Sequence, residues 1–290
     1  MTKYLIAFLI LVSVAVSQTT LSVSGPSSGW TGLTVSPDPQ TTNFLADPLS
    51  DQQTCQGPDD MVGTTTSPGF FVDFGTINGV ASIGFRMYLA SYQAAGFSGN
   101  LRVGIDANAD GSADLFFGPK LGGAAKKRGI VFQAATGTGN YSPSTTALGK
   151  NFGRIAFTAD NYNYQTAASV DPLWVNIGVN TNASLSFSLP IQTLKDTLAS
   201  LGFSLSDSSY FSLIAFTSTQ SSAINQDLYG STGIVSTARF DGPNGGFTDY
   251  YNLMGEWKKC PIVPEPSTYG FVFVGLCIAG VFLYRRFNRT

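Results

Sequence analysis

Ala81-Ser82-Ile83-Gly84-Phe85-Arg86-Met87-Tyr88-Leu89-Ala90 sets the fold class of this chain. Ile83, Phe85, Met87 and Leu89 alternate with Gly84, Arg86, Tyr88 and Ala90. Successive strand side chains point to opposite faces, so this is the period of a half-buried strand. Working outward, Phe71-Val72-Asp73-Phe74 opens a strand just before it, and Leu101, Val103 and Ile105 repeat the alternation just after it. Ile155 with Phe157, then Val175, Ile177 and Val179, then Leu185, Phe187 and Leu189 do the same. Tyr210 to Phe216 form a near-continuous apolar run. Turn residues separate these runs at short intervals, which predicts a mostly β protein: an antiparallel β-sandwich of jelly-roll-like type. One interruption stands apart. Pro190 is followed by Ile191, Leu194, Leu198 and Leu201 at helical spacing and closed by Gly202, which predicts one short amphipathic helix.

The chain has 290 residues, 12% of them charged, and a formal net charge of -2. That length suits one sandwich plus targeting segments, and the charge gives no basic footprint for nucleic acid. Histidine is absent, so neither a Ser-His-Asp triad nor a histidine-built zinc site can be assembled. Gly25-Pro26-Ser27-Ser28-Gly29 has the letters of a nucleophile elbow without the preceding apolar strand. Gly137 and Gly139 lack the spacing and lysine of a phosphate loop. Lys126-Lys127-Arg128 reads as a solvated hairpin tip. Asp59 and Asp60 are adjacent, and neighbours on a strand would face opposite ways, so they make a poor hydrolytic pair. No enzymatic activity is expected.

The strongest chemical constellation is Asp106-Ala107-Asn108-Ala109-Asp110-Gly111-Ser112-Ala113-Asp114. Side-chain oxygens of Asp106, Asn108, Asp110 and Asp114, with a carbonyl near Ser112, have the offsets that let a loop converge on one cation. Gly111 permits the sharp turn. An all-oxygen set of this kind suits calcium. Phe117 stands where an EF-hand carries its glutamate, and strands flank the loop in place of helices. The spacing is similar to the calcium loops of FG-GAP propeller repeats, although only one copy is present. The competing reading is an Asp/Asn/Gly-rich hairpin turn. With no base or nucleophile nearby, the expected calcium is structural.

The two ends address the chain. Met1 to Ser17 combine Lys3, an apolar core over Tyr4–Val16 and small residues at Ala15-Val16-Ser17, the pattern of a signal peptide. Residues 18–260 are then the β-rich exported domain. Residues 261–290 contain Pro264-Glu265-Pro266, an apolar span over 267–284 and a basic tail, 285–290, with Arg285, Arg286 and Arg289. The span is at the short end for one transmembrane helix, and the arginines favour the cytoplasmic side. This order of knuckle, span and arginines resembles the PEP-CTERM sorting signal of Gram-negative bacteria. The resemblance implies recognition by exosortase at the inner membrane and release to the cell surface or extracellular matrix. Asp47-Pro48 through Asp51-Gln52-Gln53-Thr54, Asp59-Asp60-Met61-Val62-Gly63, and Asn225-Gln226-Asp227-Leu228 resemble an uncharacterised group of such exported proteins, with Cys55 in place of an expected glycine. Asn225 and Asp227 are expected to cap a turn in preference to forming a second ion site. Cys277 falls in the span, and a Cys55–Cys260 bridge is left open. The reading is a non-enzymatic surface or matrix protein with a structural calcium loop. Its alternative is a carbohydrate-binding module for exopolysaccharide, with Trp30, Trp174 and Trp257 as stacking candidates.

Overall fold

The computed structural model of the chain describes residues 20–32, 46–53, 57–122, 124–206, 209, 211–231 and 240, all within the unit Thr19–Lys259. Its strands are Thr31–Gly32 (β1), Phe70–Ile77 (β2), Val80–Leu89 (β3), Asn100–Asp106 (β4), Leu115–Lys120 (β5), Gly129–Ala135 (β6), Leu148–Ile155 (β7) and Tyr162–Thr166 (β8). Ala167–Val170 (α1) follows, then Ala183–Pro190 (β9), Ile191–Ser200 (α2), Ser212–Ser218 (β10) and Asp227–Leu228 (β11). All the strand pairings are antiparallel, in two sheets ordered β1-β2-β3-β9-β8 and β11-β10-β4-β5-β6-β7. This mostly β, two-sheet arrangement is the one expected of a β-sandwich.

The period-2 alternation places Ile83, Phe85, Met87 and Leu89 on one face of β3, and all four are fully buried. Phe85 stacks on its cross-strand partner Phe187 at 5.2 Å and meets Phe117 of the other sheet at 5.2 Å. These rings mark the seam between the sheets. The β2–β3 hairpin turns at Asn78 and Gly79, with φ of 51° and 78°, the two positive values that a tight two-residue turn requires.

The expectation of half-buried strands fails. Gly84, Arg86 and Tyr88, on the opposite face of β3, are also buried. The reason is a second layer. The segment 21–30 crosses that face, and the buried Arg86 guanidinium donates to Ser27 Oγ and Ser186 Oγ (both 2.8 Å) and to the carbonyls of Val23 and Gly25. Trp30 caps it at 4.4 Å. The six-stranded sheet is likewise covered on its second face, where Phe116, Ile214, Phe216, Leu228 and Phe240 form a separate apolar cluster. Gly104 lies in register between Ile214 and Phe116, and a Cβ there would come within 2.7 Å of both side chains.

Val175, Ile177 and Val179 do not form the expected strand. Residues 171–182 are a loop, with Val175 at 81% and Val179 at 100% exposure. Asn182, fully buried, captures the loop: its amide donates to the carbonyls of Ala90 and Ile177 and accepts from Ile177 N–H at 2.6 Å and Trp174 Nε1 at 3.0 Å. Those backbone groups are thereby withdrawn from any ladder. The expected helix is present as α2, which buries Leu194 and Leu198 and ends beside Gly202 at φ 91°.

Candidate metal centre

β4 ends on Asp106 and β5 begins at Leu115, so Asp106, Asn108, Asp110, Ser112 and Asp114 share one hairpin loop. Asp106 is fully buried and turns its carboxylate back on the loop. Oδ1 accepts from the N–H groups of Ala109 (2.8 Å) and Asp110 (3.3 Å), and Oδ2 accepts from Gly111 N–H at 2.8 Å. Ala109 and Gly111 take positive φ of 61° and 82° to allow this. Asn108 Nδ2 donates to Asp110 Oδ2 at 3.0 Å, and Ser112 N–H donates to Asp110 Oδ1 at 2.9 Å. Asp114 Oδ2 accepts from Ala107 N–H at 2.8 Å. Burial pushes Asp114 up to about 7, with that N–H pulling the other way and Asp106 and Asp110 adding repulsion. Each acidic side chain of the loop is thus engaged by loop backbone, and the three acids are not brought into one close cluster.

A close cluster forms elsewhere. Among the described residues, Asp47, Asp51 and Asp227 each present an oxygen within 4.8 Å of the others. Asp47 is 1% exposed and Asp227 fully buried. Backbone pairing assembles them. Asp47 and Gly63 exchange N–H···O bonds of 3.0 and 3.1 Å, and Gln53 N–H donates to Gln226 carbonyl at 2.9 Å. Met61 N–H donates to Asp227 Oδ2 at 2.6 Å, and Gly230 N–H to Asp47 Oδ1 at 2.8 Å. The stretch 46–63 is in this way sewn to β11.

Asp60 flanks the cluster, and Asp59 precedes Asp60 in the chain. Asp59 closes a 3-10 turn, Gly57–Asp59, and Asp60 follows it, so they lie on no strand and the strand argument against them does not apply. Thr217 Oγ1 donates to the Asp59 carbonyl. Asp60 Oδ2 accepts from Ser50 N–H at 2.9 Å. Burial raises Asp47 well above the usual carboxylate range, and repulsion from Asp227, Asp51 and Asp60 adds to it against the Gly230 N–H. Asp227 is raised by burial, then by Asp51 and Asp60, against the N–H groups of Met61 and Leu228. Burial lifts Asp60 to about 6, opposed by N–H groups of residues 50–52.

Asp47 Oδ2, Gln52 Oε1, Asp59 Oδ1 and Asp60 Oδ1 are buried and accept no hydrogen bond. Asp47, Gln52 and Asp60 are each at 3% exposure or less. A buried acceptor left without a donor costs about 1–3 kcal/mol, more when charged, and mutually repelling carboxylates add to that. One divalent cation would relieve both penalties. The donors are all oxygen, which selects a hard ion, and calcium accepts six to eight such ligands in a flexible cage.

No sequence spacing assigns Asp47 and Asp51 a ligand role. The available signal was a stretch, 46–63, holding Asp47, Asp51, Asp59 and Asp60 with no lysine or arginine. Asn225 caps a turn as expected, its Oδ1 accepting from Ser218 Oγ at 2.6 Å and Thr219 N–H at 3.1 Å, whereas Asp227 points into the acidic cluster. Ser27 is buried and bonded to Tyr88 Oη at 2.8 Å and to Arg86. Trp174 stacks on Tyr88 at 3.8 Å, so Trp30 and Trp174 both pack against buried partners.

The expected signal peptide over 1–17 and apolar span over 267–284, with Trp257, Cys55, Cys260, Pro264, Glu265, Pro266, Arg285 and Arg286, lie outside the described residues. Among the described residues no helix is long and apolar enough to cross a membrane. Comparison with protein-family models, curated proteins and solved structures finds no match to this chain.

Proposed function

We propose that this chain is an exported, non-enzymatic surface or matrix protein, sorted by its PEP-CTERM-like tail, whose jelly-roll-like β-sandwich is fastened by calcium. The observation that carries the calcium reading is the convergence of Asp47, Asp51 and Asp227 beside buried acceptors that have no donor. The ion would join the segment around Asp47 and Asp51 to β11 at the edge of the six-stranded sheet. The Asp106 loop is a second candidate for the same ion, with fewer uncommitted oxygens. The absence of histidine supports a structural role over a hydrolytic one, because no general base of that kind accompanies the carboxylates.

The test is a pair of melting curves of the purified protein in calcium and in chelator. Binding to the folded form alone stabilises by about 2.7 kcal/mol at a hundredfold excess over Kd. For a domain of this size that is about 5–10 °C of Tm. Asp47→Asn keeps an acceptor for Gly230 N–H but removes a buried charge. It is expected to melt higher than the parent protein in chelator and to gain little from calcium. Asp110→Ala reports separately on the hairpin loop. Magnesium substitutes poorly, since it holds its waters and a tighter octahedron. Superimposable curves with and without calcium for the parent protein overturn the calcium reading.

A further inference from the structure

The cationic side chains of the described residues are distributed unevenly. Arg86 and Arg102 are buried. The others, apart from Lys195 on α2, are Lys120, Lys126, Lys127, Arg128, Lys150 and Arg154, and all of these lie on β7, the end of β5 or the connection between β5 and β6. A groove of about 380 Å³ runs between that connection and β7, lined by Lys120, Lys126, Lys127, Asn151, Phe152 and Arg154, and no acidic residue lines it. The side chains of Lys120, Lys126 and Lys127 have no hydrogen-bond partner among the described residues. Arg154 Nη1 donates to the Arg128 carbonyl at 2.7 Å. Lys120, Lys126, Lys127 and Arg154 otherwise stand together with no acidic residue lining the groove, and four like charges so placed repel one another.

The edge strand supplies the second element. β7 is the outermost strand of its sheet, and its pairing shifts between Phe132 and Gln133, which face Gly153 and Asn151. Phe152 is the extra residue of that irregularity. Such a bulge re-aims a side chain, and here it leaves Phe152 48% exposed inside the groove. An aromatic face, an amide and a ring of cations together match a ligand with apolar ring faces, hydroxyls and repeated carboxylates.

We propose that this groove binds an acidic polysaccharide, a uronate-bearing chain whose carboxylates pair with Lys120, Lys126, Lys127 and Arg154 while a sugar face rests on Phe152. A nucleic acid fits less well. Single-strand grooves use several aromatics to stack successive bases, and the groove presents one. The whole chain is acidic, with a pI near 5.0, whereas nucleic-acid domains carry a net basic field. The inference is independent of the calcium cluster.

The experiment uses the full chain in a non-ionic detergent, with calcium present throughout, and measures binding of a short oligogalacturonate by calorimetry. Affinity is expected to fall as sodium chloride rises, because exposed charges are screened. Lys126→Glu combined with Lys127→Glu should weaken binding about tenfold or more, as reversing two exposed charges replaces attraction with repulsion. Phe152→Ala should weaken it about 2–10-fold without changing the salt dependence. The fully methyl-esterified oligomer should not bind. Lys126 and Lys127 are exposed, so the double variant should melt as the parent does; if it does not, Lys120→Gln tests the same charge from a strand. Asp47→Asn should leave the affinity unchanged, which separates this result from the calcium one. No binding, equal binding of the esterified oligomer, indifference to the charge reversals, or tighter binding of single-stranded DNA of equal charge would each overturn the assignment.

Discussion

Asp60 shows how one buried side chain sets the acid response of the whole domain. It is 1% exposed and its carboxyl is lifted from 3.8 to about 6 by burial, more than the N–H groups of residues 50–52 can offset. Asp47 and Asp227 move in the same direction. An acid whose folded pKa is raised binds more protons folded than unfolded between the two values. Its contribution to stability is therefore complete below the unfolded pKa and is lost as pH rises through the folded one. Metal-free protein is thus expected to melt at a higher temperature near pH 4 than near neutrality. The Asp60 share of the loss falls between about pH 4 and pH 6, and that of Asp47 and Asp227, raised well above the usual carboxylate range, adds to it as pH rises. Calcium should flatten this slope by supplying the missing positive charge. Thermal melts across that range, in chelator and in calcium, check it. A metal-free Tm that climbs steadily from acid to neutral pH would contradict the assignment. Deprotonation of Asp114, pushed up to about 7 in the hairpin loop, extends a loss of the same sign to higher pH.

Elements report whether a residue was placed by its own pattern or by its neighbours. α2 follows the helical spacing read from the sequence, with Leu194 and Leu198 on its buried side and Gln192 and Asp196 paired at 2.8 Å on the exposed one. Leu198→Ala should therefore cost about 2–5 kcal/mol, the transfer term plus a cavity, while Gln192→Ala should stay within about 0.5 kcal/mol. Urea denaturation at constant m-value measures both. Equal small losses would mean that the helix is not docked through Leu198. The run Val175-x-Ile177-x-Val179 has as clear a strand pattern as β3, yet it is a loop. β3 finds partners on both sides in β2 and β9. The 171–182 segment meets the Asn182 side chain, which takes the Ile177 N–H and carbonyl. Pattern records which side chains favour a strand, and pairing decides whether one forms.

At the scale of the whole molecule, the β-rich body and the tail carry separate information. The tail reading rests on Pro264-Glu265-Pro266 and the arginines behind the apolar span. Replacing Pro264, Glu265 and Pro266 with alanine should leave the protein unprocessed in the inner membrane, since the knuckle that separates span from body is gone. Fractionation and the mass of the membrane-bound form check this, and normally processed mutant at the cell surface would refute it. The body should fold alike in both forms, because the core of the described residues, from Leu21 to Phe240, is built without the tail. Two groups of like charge stand apart on that body: the acids around Asp47, Asp51 and Asp227 and the cations beside β7.

The sequence by itself determined the class of the fold. Alternation at Ile83 to Leu89, Leu101 to Ile105 and Leu185 to Leu189, with turns between, was enough for two antiparallel sheets, because strand periodicity is a local property of side-chain direction. It also located the hairpin that holds Asp106 to Asp114, whose turn is closed by contacts within the loop itself. It did not show that Arg86, Tyr88 and Ser186 are buried, since the layer over them comes from residues 21–30, far away in the chain. Nor did it show the acidic cluster. Asp47 and Asp227 are separated by nearly the whole domain, and they meet only because Gly230 N–H reaches Asp47 and Met61 N–H reaches Asp227. Tertiary structure decided that cluster, because its carboxylates are neighbours through backbone pairing between distant segments, and no local spacing encodes such a pairing.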